Sequence, residues 1–324
     1  MVINTVTGAI SPDRLGQTLV HEHFVCGQGG WFADASVVPY RRSAALKVNL
    51  DVCKLAAGVG IKTIVDCTTC DFPRDPLLYK KLSEKTGMNI ICVTGLFNEE
   101  MGCPAYWKVR VKFFKKDISK YMAELFIKEL TVGIAKTGIR AGAIKVASSE
   151  TITPYEESMF KGAVIAQKAT GAPIITHTEG PEVGKEQLAL LMSEGADMKK
   201  VLIGHVSNSN DFEYQKCIAE KTYVGFDRLG FALFALDPIC VNNMSELCKL
   251  GLADKILMSH DSVNFWAGRS VTNEAGPELV ALLANWKVDH IAKNIIPALK
   301  KKGVTDKQIH TIMVDNPRNL FTGN

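Results

Sequence analysis

The amino-acid sequence predicts an α/β fold, with one domain that forms a closed barrel of eight parallel strands, each followed by a helix. Three observations predict it. Short apolar runs rich in β-branched residues recur eight times along the 324 residues. Stretches with the helical spacing of apolar residues separate these runs, and glycines close many of the helices. The runs are continuously apolar instead of alternating, which is typical of parallel strands covered on both faces.

The apolar runs are the predicted strands, and the stretches between them are the predicted helices. We expect strands at residues 18–24, 61–68, 89–97, 141–147, 173–179, 201–207, 222–229 and 256–262. We expect helices at residues 43–57, 75–85, 118–134, 155–169, 185–193, 211–220 and 241–249. Eight repeats favour a closed barrel. The alternative, an open doubly wound sheet, lacks its usual glycine-rich phosphate turn, because His21-Glu22-His23 ends the first strand.

No linker rich in Pro, Gly or Ser divides the chain, so residues 1–324 are expected to form a single domain. A long segment at about 263–289 follows the eighth strand, and a helical region at 291–320 ends the chain. The long segment is expected to form a loop with its own helix over the barrel mouth and to shape a substrate pocket. Its candidate pocket residues are Phe265, Trp266, Arg269 and Trp286.

The type of substrate that this segment would recognise stays open, and so does the choice between a pocket role and a structural role for its aromatic residues. Its aromatic residues favour an apolar or cyclic substrate, whereas Arg269 could recognise an acidic group such as the phosphate of a sugar lactone. Phe265 and Trp266 could equally have a structural role and pin the loop to the barrel.

Composition and charge exclude several classes of protein. The chain is 47% hydrophobic and 22% charged, which is typical of a globular enzyme. Lys and Arg exceed Asp and Glu by only 38 to 34 and are scattered, so nucleic acid is not an expected partner. Neither a signal peptide nor a membrane-spanning run is evident, which predicts a cytoplasmic protein. The nine cysteines do not suggest a disulfide scaffold, and Cys67-Thr-Thr-Cys70 has no second C-x-x-C to complete a zinc site.

Histidines and a carboxylate occur where the predicted strands end. Side chains at i and i+2 of a strand share a face, so His21 and His23 are expected to point the same way. In barrels of this kind the catalytic groups project from the C-terminal strand ends. A lone histidine there is more often a hydrogen-bonded structural residue, but the set as a whole suits Zn²⁺, Co²⁺, Mn²⁺ or Fe²⁺. The candidate set is His21, His23, Lys145, His177, His205 and Asp261.

Other histidines are expected elsewhere: His260 should face away from Asp261, and His290 and His310 lie apart. Lys145 is the unusual member of the candidate set, because a protonated ammonium would be repelled by metal ions. If burial lowers its pKa, the free amine can react with CO₂ to give a carbamate, which can bridge two metals. The alternative is a surface or salt-bridging lysine.

These ordered motifs resemble the phosphotriesterase family of the amidohydrolase superfamily over nearly the whole chain. The matching segments are Ile3–Ile10, Leu15–His23, Lys145-Val146, His177, Gly204-His205, Gly225–Arg228 and Ser259–Asp261. The resemblance implies a (β/α)₈ TIM barrel, a homodimer and a binuclear metal centre, with zinc expected first. It also implies a more buried ion held by His21, His23 and Asp261, a more exposed ion held by His177 and His205, and a carboxylated Lys145 that bridges both.

Within this family, the run Gly225-Phe-Asp-Arg228-Leu-Gly is similar to that of the phosphotriesterase-like lactonases. The likeness implies that Arg228 lies near the substrate; an ion pair with a neighbouring carboxylate is the alternative. Phe97 occupies the position near the end of the third strand where those lactonases carry a tyrosine. The exact lactone preference therefore stays open.

The expected activity is metal-dependent hydrolysis of a lactone or a carboxylic ester. Two divalent ions that share one water supply a bridging hydroxide near neutral pH, and Asp261 is placed to take its proton and pass it to the leaving group. Phosphotriesters are possible promiscuous substrates. The alternatives are phosphorylated sugar lactones or organophosphate triesters as main substrates, or a non-catalytic metal- or ligand-binding barrel. No G-x-S-x-G is present, which disfavours acyl-enzyme chemistry.

Overall fold

The computed structural model describes residues 2–180, 182–270, 272 and 276–324. Within these ranges, a short antiparallel hairpin precedes a sheet of eight parallel strands. The hairpin consists of β1 (Ile3–Thr5) and β2 (Gly8–Ile10). The eight strands occur where the sequence predicts them: β3 (Thr18–Glu22), β4 (Thr63–Asp66), β5 (Asn89–Leu96), β6 (Ala143–Ser148), β7 (Ile174–Thr178), β8 (Val201–Ile203), β9 (Tyr223–Phe226) and β10 (Ile256–Met258).

The strands neighbour one another in chain order. The barrel closes where the C-terminal ends of the first and last strands meet, through backbone hydrogen bonds and an isolated bridge between His23 and Val263. The backbone N–H of Asp261 donates to the carbonyl of His21 at 3.0 Å, and that of His23 donates to Ser262 at 2.9 Å. Glu22 reinforces this seam. Its buried carboxylate accepts hydrogen bonds from the side chain of Ser259 and from the side chains and backbone of His260 and Ser262. The predicted (β/α)₈ barrel is confirmed.

In the described ranges α-helices surround the sheet, and most of them pack against its outer face. They are α1 (Arg42–Gly58), α2 (Pro76–Thr86), α3 (Ala105–Phe114), α4 (Ile118–Thr131), α5 (Pro154–Thr170), α6 (Gly184–Ser193), α7 (Phe212–Ala219), α8 (Asp237–Lys249), α9 (Pro277–Leu282), α10 (Ile296–Lys301), α11 (Asp306–His310) and α12 (Asn316–Thr322). In the described part of the chain, none is long and apolar enough to cross a membrane.

Local sequence signals set many of these helix ends. Asp75 accepts a hydrogen bond from the backbone of Leu78 and caps α2, while Thr153 and Glu156 form a reciprocal capping box on α5. Helix α3 was not predicted, because it buries none of its own residues and gives no amphipathic pattern against the barrel. Helix α9 lies in the long segment after the eighth strand, as expected; residues 271 and 273–275 of that segment lie outside the described residues.

Two apolar layers fill the fold. The outer layer packs the helices against the sheet. The inner layer fills the barrel with side chains such as Val20, Val65 and Leu202, and continues into the hairpin and the C-terminal helix through Ile3 and Phe321. The end of the barrel at the strand N-termini is thus plugged by apolar side chains, and the strand C-termini carry the polar groups described below.

Several strands are shorter than predicted, and β8 and β10 lose the most residues at their C-terminal ends. Strand β8 ends at Ile203 and β10 at Met258, not at Ser207 and Ser262. The reason is local: His205 (φ 55°) and Asp261 (φ 54°) adopt the left-handed conformation, which is incompatible with extended pairing.

Candidate metal centre

The six candidate ligands, from five separate strand ends, lie together at the C-terminal mouth of the barrel, and all are buried. Asp261 is at the centre of the first group. Its Oδ1 lies 3.1 Å from His23 Nε2 and 3.4 Å from His21 Nε2. In this group the two imidazoles and the carboxylate offer ligand atoms within 4.8 Å of one another, as a metal ion requires.

The second group contains His177 and His205. His177 Nδ1 lies 2.8 Å from His205 Nε2, and the two rings are perpendicular with centroids 4.5 Å apart. The other oxygen of Asp261, Oδ2, lies 3.6 Å from His205 Nε2. The single carboxylate of Asp261 therefore connects the two groups.

The outer nitrogen of each imidazole has a hydrogen-bond acceptor. The two oxygens of buried Asp227 divide between His21 Nδ1 at 2.7 Å and His205 Nδ1 at 3.0 Å. Glu179 Oε2 lies 2.7 Å from His177 Nε2. Thr68 Oγ1 lies 2.9 Å from His23 Nδ1 and donates its own proton to a backbone carbonyl, so it accepts from the imidazole.

These outer contacts decide the tautomers. A neutral imidazole has one N–H and one lone pair, so a proton on the outer nitrogen leaves the lone pair on the inner one. The inner lone pairs of His177 and His205 then face each other at 2.8 Å, and that of His23 faces the Asp261 carboxylate at 3.1 Å. Acceptors that face one another in a buried site are the arrangement that a cation satisfies.

The pKa values agree with this arrangement. Burial lowers the pKa of His177 to about 4 and that of His205 well below its usual value. Burial works against the charged form of Asp261, yet the positive charge around it, including that of the Arg228 guanidinium at 3.0 Å, outweighs burial and holds the pKa of Asp261 well below its usual range. The site therefore combines neutral imidazoles at His177 and His205 with an ionised carboxylate at Asp261 near neutral pH.

Lys145 lies at the floor of the site, on strand β6, and is fully buried. Its Nζ donates to the carbonyl of Thr176 at 2.8 Å and lies 2.9 Å from His21 Nε2. Burial lowers the pKa of this amine. In the described ranges Lys145 is neither a surface residue nor part of an ion pair, since its side chain is fully buried and no carboxylate lies within ion-pair distance of its Nζ.

Two ligand positions have unusual backbone geometry. His205 and Asp261 are non-glycine residues with positive φ, which costs on the order of 1–3 kcal/mol each. Hydrogen bonds hold both: the backbone N–H of His205 donates to Asp227 at 2.7 Å, and that of Asp261 donates to His21 at 3.0 Å. The surrounding structure thus forces the two side chains to turn into the site.

A largely apolar cavity of about 300 Å³ opens above the ligands. Among its lining residues, Phe97 lies against His177 with ring centroids 4.7 Å apart. Arg228 Nε donates to Asp261 Oδ2 at 3.0 Å, while the buried Nη1 of Arg228 has no hydrogen-bond partner among the described residues. The ion pair expected as the alternative for Arg228 therefore coexists with its position at the cavity.

The loop residues divide between two places. Trp266 and Trp286 line the cavity, and the indole of Trp286 donates to the carbonyl of His260 at 2.9 Å. Phe265 and Arg269 instead line a neighbouring surface cavity. The Phe265 ring contacts Tyr40, and Arg269, which is 59% exposed, pairs with Asp34 at 3.0 Å. The structure does not bring these two side chains to the ligands.

The imidazole of His260 faces away from the centre, as predicted, and donates to Glu22 at 2.8 Å. Sequence reasoning did not identify the groups that hold the outer nitrogens. Asp227 directly follows β9, so the strand-end rule that found Asp261 applies to it as well. Glu179 is two residues after His177 on the same face, which is also a visible signal. The role of Thr68 has no comparable signal, because threonine is common in strands and turns.

Fold and site together define a barrel hydrolase that acts on ester bonds. The chain belongs to the phosphotriesterase family, whose model matches residues 1–321. It is 35% identical over 327 residues to a phosphotriesterase homology protein of Mycobacterium tuberculosis, a match that covers 98% of this chain and 97% of the relative.

Two solved structures with a TM-score of 0.95 and 37% identity extend this comparison. One is an organophosphorus hydrolase from Deinococcus radiodurans, and the match covers 99% of this chain and 97% of that one. The other is described as the engineering of organophosphate hydrolysis activity from a weak promiscuous lactonase template, with 99% and 100% covered.

Proposed function

We propose that the protein is a binuclear metal-dependent hydrolase that acts on a lactone or a carboxylic ester, with phosphotriesters as secondary substrates. One observation carries the proposal: His177 Nδ1 and His205 Nε2 lie 2.8 Å apart in a buried site, while carboxylates occupy the hydrogen-bonding positions at the outer nitrogen of each ring and so leave a lone pair on each inner nitrogen. Without a cation such a contact is unfavourable, because neither atom has a proton to donate.

The residues fit two ions. His21, His23 and Asp261 would hold the more buried one, and His177 and His205 the more exposed one. Lys145 would bridge both as a carbamate, formed when its neutral amine adds to CO₂ and releases a proton; the lowered pKa of the amine supports this reaction. Zinc suits this nitrogen and oxygen set best, with cobalt, manganese or iron as alternatives.

When bound, two such ions supply a nucleophile from water near neutral pH and polarise the oxygen of the scissile group. The residues of the chain perform the remaining tasks. Asp261 can accept the proton of the attacking water and return it to the leaving alkoxide. Arg228 holds Asp261 through Nε, and its free Nη1 can donate to a substrate oxygen. The aromatic walls exclude water and favour an apolar substrate portion.

The relatives support both substrate classes, since one match is an organophosphorus hydrolase and another derives from a lactonase template. The lactonase-like run around Arg228 favours the lactone as the main substrate. A phosphorylated sugar lactone is less well supported, because Arg269 pairs with Asp34 away from the cavity and Glu179 adds a negative charge to its wall.

The test is hydrolysis of a panel of lactones, aryl esters and paraoxon-like triesters by protein loaded with metal and bicarbonate. We expect about two ions per chain, and the fastest turnover with lactones. Asp261→Asn should be nearly inactive on every substrate, whereas Asp254→Asn, an exposed control, should match the wild type. Equal rates for wild type and Asp261→Asn would leave the non-catalytic barrel as the better interpretation.

We also propose that the chain forms a homodimer. Large side chains on helix α3 and the loop after β3 are exposed, including Tyr106, Phe113, Phe114 and Phe32. The loop after β3 contacts the segment that leads into α3, since the backbone N–H of Gly29 donates to the carbonyl of Met101 at 2.9 Å. Exposed apolar patches of this kind are typical of association surfaces. Light scattering should give a dimer for the wild type and a monomer for Phe113→Glu; a monomeric wild type would contradict the proposal.

A further inference from the structure

Glu179 is the one acidic side chain that both lines the described cavity wall beside the exposed ligand pair and contacts a ligand from outside. It follows β7, two residues after His177, and its Oε2 lies 2.7 Å from His177 Nε2. The backbone fixes its position, because the N–H of Glu179 donates to the carbonyl of Ser148 at 3.2 Å. The same segment is tied from the other side by Gln187, which donates to the carbonyl of His177 at 2.8 Å.

The contact determines what the other ring nitrogen can do. Glu179 accepts at Nε2, so the proton of a neutral His177 imidazole is held there and the lone pair is at Nδ1. Nδ1 is the atom that faces His205 at 2.8 Å. Because the two ring nitrogens point in divergent directions, the carboxylate affects the ligand atom through the imidazole and not by direct contact.

The other histidine of the pair has the equivalent support. His205 Nδ1 is held by Asp227, which is fully buried and also binds His21. Glu179 differs in that its side chain is 27% exposed and serves His177 alone. The exposed half of the centre therefore has a carboxylate of its own, Glu179, in addition to Asp227, which serves one histidine in each half.

We propose that Glu179 is a positioning residue that keeps the His177 Nε2 protonated and its Nδ1 lone pair directed at the more exposed metal ion. This inference rests on the proposed binuclear function. Carboxylates that hold a ligand imidazole in this way orient the ring and raise the basicity of the ligand atom. Loss of Glu179 should therefore weaken the binding of the more exposed ion and leave the binding of the more buried ion unchanged.

Two variants and one control separate the effect of the charge of Glu179 from the effect of its hydrogen bond to His177. Glu179→Gln keeps an acceptor oxygen but loses the charge, and Glu179→Leu loses both. Glu182→Gln changes an exposed glutamate three residues away and serves as the matched control. Because the Glu179 side chain is partly exposed, we expect all three variants to fold, and circular dichroism checks this.

The first measurement needs no metal. Nitrogen-15 NMR of the histidine rings in metal-free protein should give the Nε2–H tautomer for His177 in the wild type and in Glu182→Gln, with the signal assigned by its loss in His177→Asn. Glu179→Gln should keep this tautomer, and Glu179→Leu should give a mixture. An unchanged Nε2–H tautomer in Glu179→Leu would overturn the proposal.

The second measurement is a zinc titration against a chelating dye. In Glu179→Leu the Kd of the weaker ion should rise by roughly 10–100-fold while that of the tighter ion stays the same. The Kd of the weaker ion in Glu179→Gln should lie between its values in Glu179→Leu and in the wild type. Equal loss of both ions, or loss of neither, contradicts the assigned role. If wild-type protein binds fewer than two ions, the binuclear function fails, and the tautomer measurement still decides whether Glu179 orients His177.

Discussion

Asp227 Oδ1 accepts two hydrogen bonds from His205, one from the backbone N–H at 2.7 Å and one from ring Nδ1 at 3.0 Å. The same contact holds the strained backbone of His205 and the tautomer of its ring. The second oxygen of Asp227 does the same for the ring of His21 at 2.7 Å. One buried carboxylate, which the chain places directly after β9, thus orients a ligand in each half of the centre.

The first prediction concerns Asp227→Asn. The amide that replaces the carboxylate has a single acceptor oxygen. It can accept a hydrogen bond from only one of the two imidazoles, and it places its own NH₂ group against the N–H of the other imidazole. We expect metal affinity to fall by roughly 10–100-fold for both ions. Titration against a chelating dye measures this, and Asp51→Asn, exposed on α1, is the control. Wild-type affinity for both ions would refute the role assigned to Asp227.

The second prediction concerns Lys145→Ala. This variant would lose the group that bridges the two ions. The rate of hydrolysis should therefore fall by more than roughly 10–100-fold, which is the typical effect of losing a hydrogen-bond partner of a metal ligand. Acetate or propionate should restore part of it, because a small carboxylate can enter the space left by the side chain. Steady-state rates with and without added acid measure this.

The control for that rescue is Lys200→Ala. Lys200 is also buried, and its Nζ donates to the carbonyl of Gly171 at 2.9 Å, away from the ligands. This variant should be less stable but should not respond to carboxylic acids. A fully active Lys145→Ala enzyme would mean that the bridge is assigned to the wrong residue.

The third prediction concerns Gly95→Ala on strand β5. Gly95 has φ 125°, and a Cβ there would lie 1.7 Å from the backbone oxygen of Lys145 on the neighbouring strand. Because a backbone atom in a paired strand cannot shift without breaking strand hydrogen bonds, we expect the variant to lose about 4 kcal/mol or more in the free energy of unfolding. Urea unfolding measures it.

Gly251→Ala separates the clash from the backbone strain. Gly251 also has a positive φ of 83°, but nothing lies within 4 Å of an added Cβ. Its alanine variant should cost only about 1–2 kcal/mol. Similar losses for the two glycines would mean that Gly95 is not required for close packing against Lys145.

The fourth prediction concerns acid stability and the buried pair of Arg74 and Glu129, whose closest atoms lie 2.8 Å apart. Burial would raise the pKa of Glu129, but the hydrogen bonds and charge of Arg74 outweigh it and lower that pKa. A carboxyl whose folded pKa lies below its unfolded value of about 4.3 stabilises the fold above that value. This contribution should disappear as the pH falls through the folded pKa.

Glu129→Gln should cost about 3–5 kcal/mol at neutral pH, because it leaves the charge of Arg74 buried without a partner. It should also flatten the decline of stability between neutral and acidic pH. Urea unfolding with a chelator present at each pH measures both effects without interference from metal release. Glu213→Gln, in an exposed pair with Lys216, is the control and should cost less than about 1 kcal/mol. A steep acid decline in Glu129→Gln would assign the effect to other groups.

Much of the fold and the ligand set follow from local patterns. The run that ends in His21-Glu22-His23 predicts a strand with two imidazoles on one face, and both contact the centre. Helices α2 and α5 begin at capping residues visible in the sequence. Helix α3 was not predicted, because a helix that buries none of its own residues has no apolar face that recurs with the helical period.

The sequence by itself determined the strand order of the barrel, since a helix follows each strand and a right-handed crossover places the next strand beside its predecessor, and it determined which residue types end each strand. Only the tertiary structure decided how those ends are used. It assigned Asp227 to two imidazoles and Glu179 to a third, left Arg269 with Asp34 outside the cavity, and turned Asp261 inward at a positive φ. The physical reason is that hydrogen-bond partners distant in sequence are selected by the closure of the barrel, which no local period encodes.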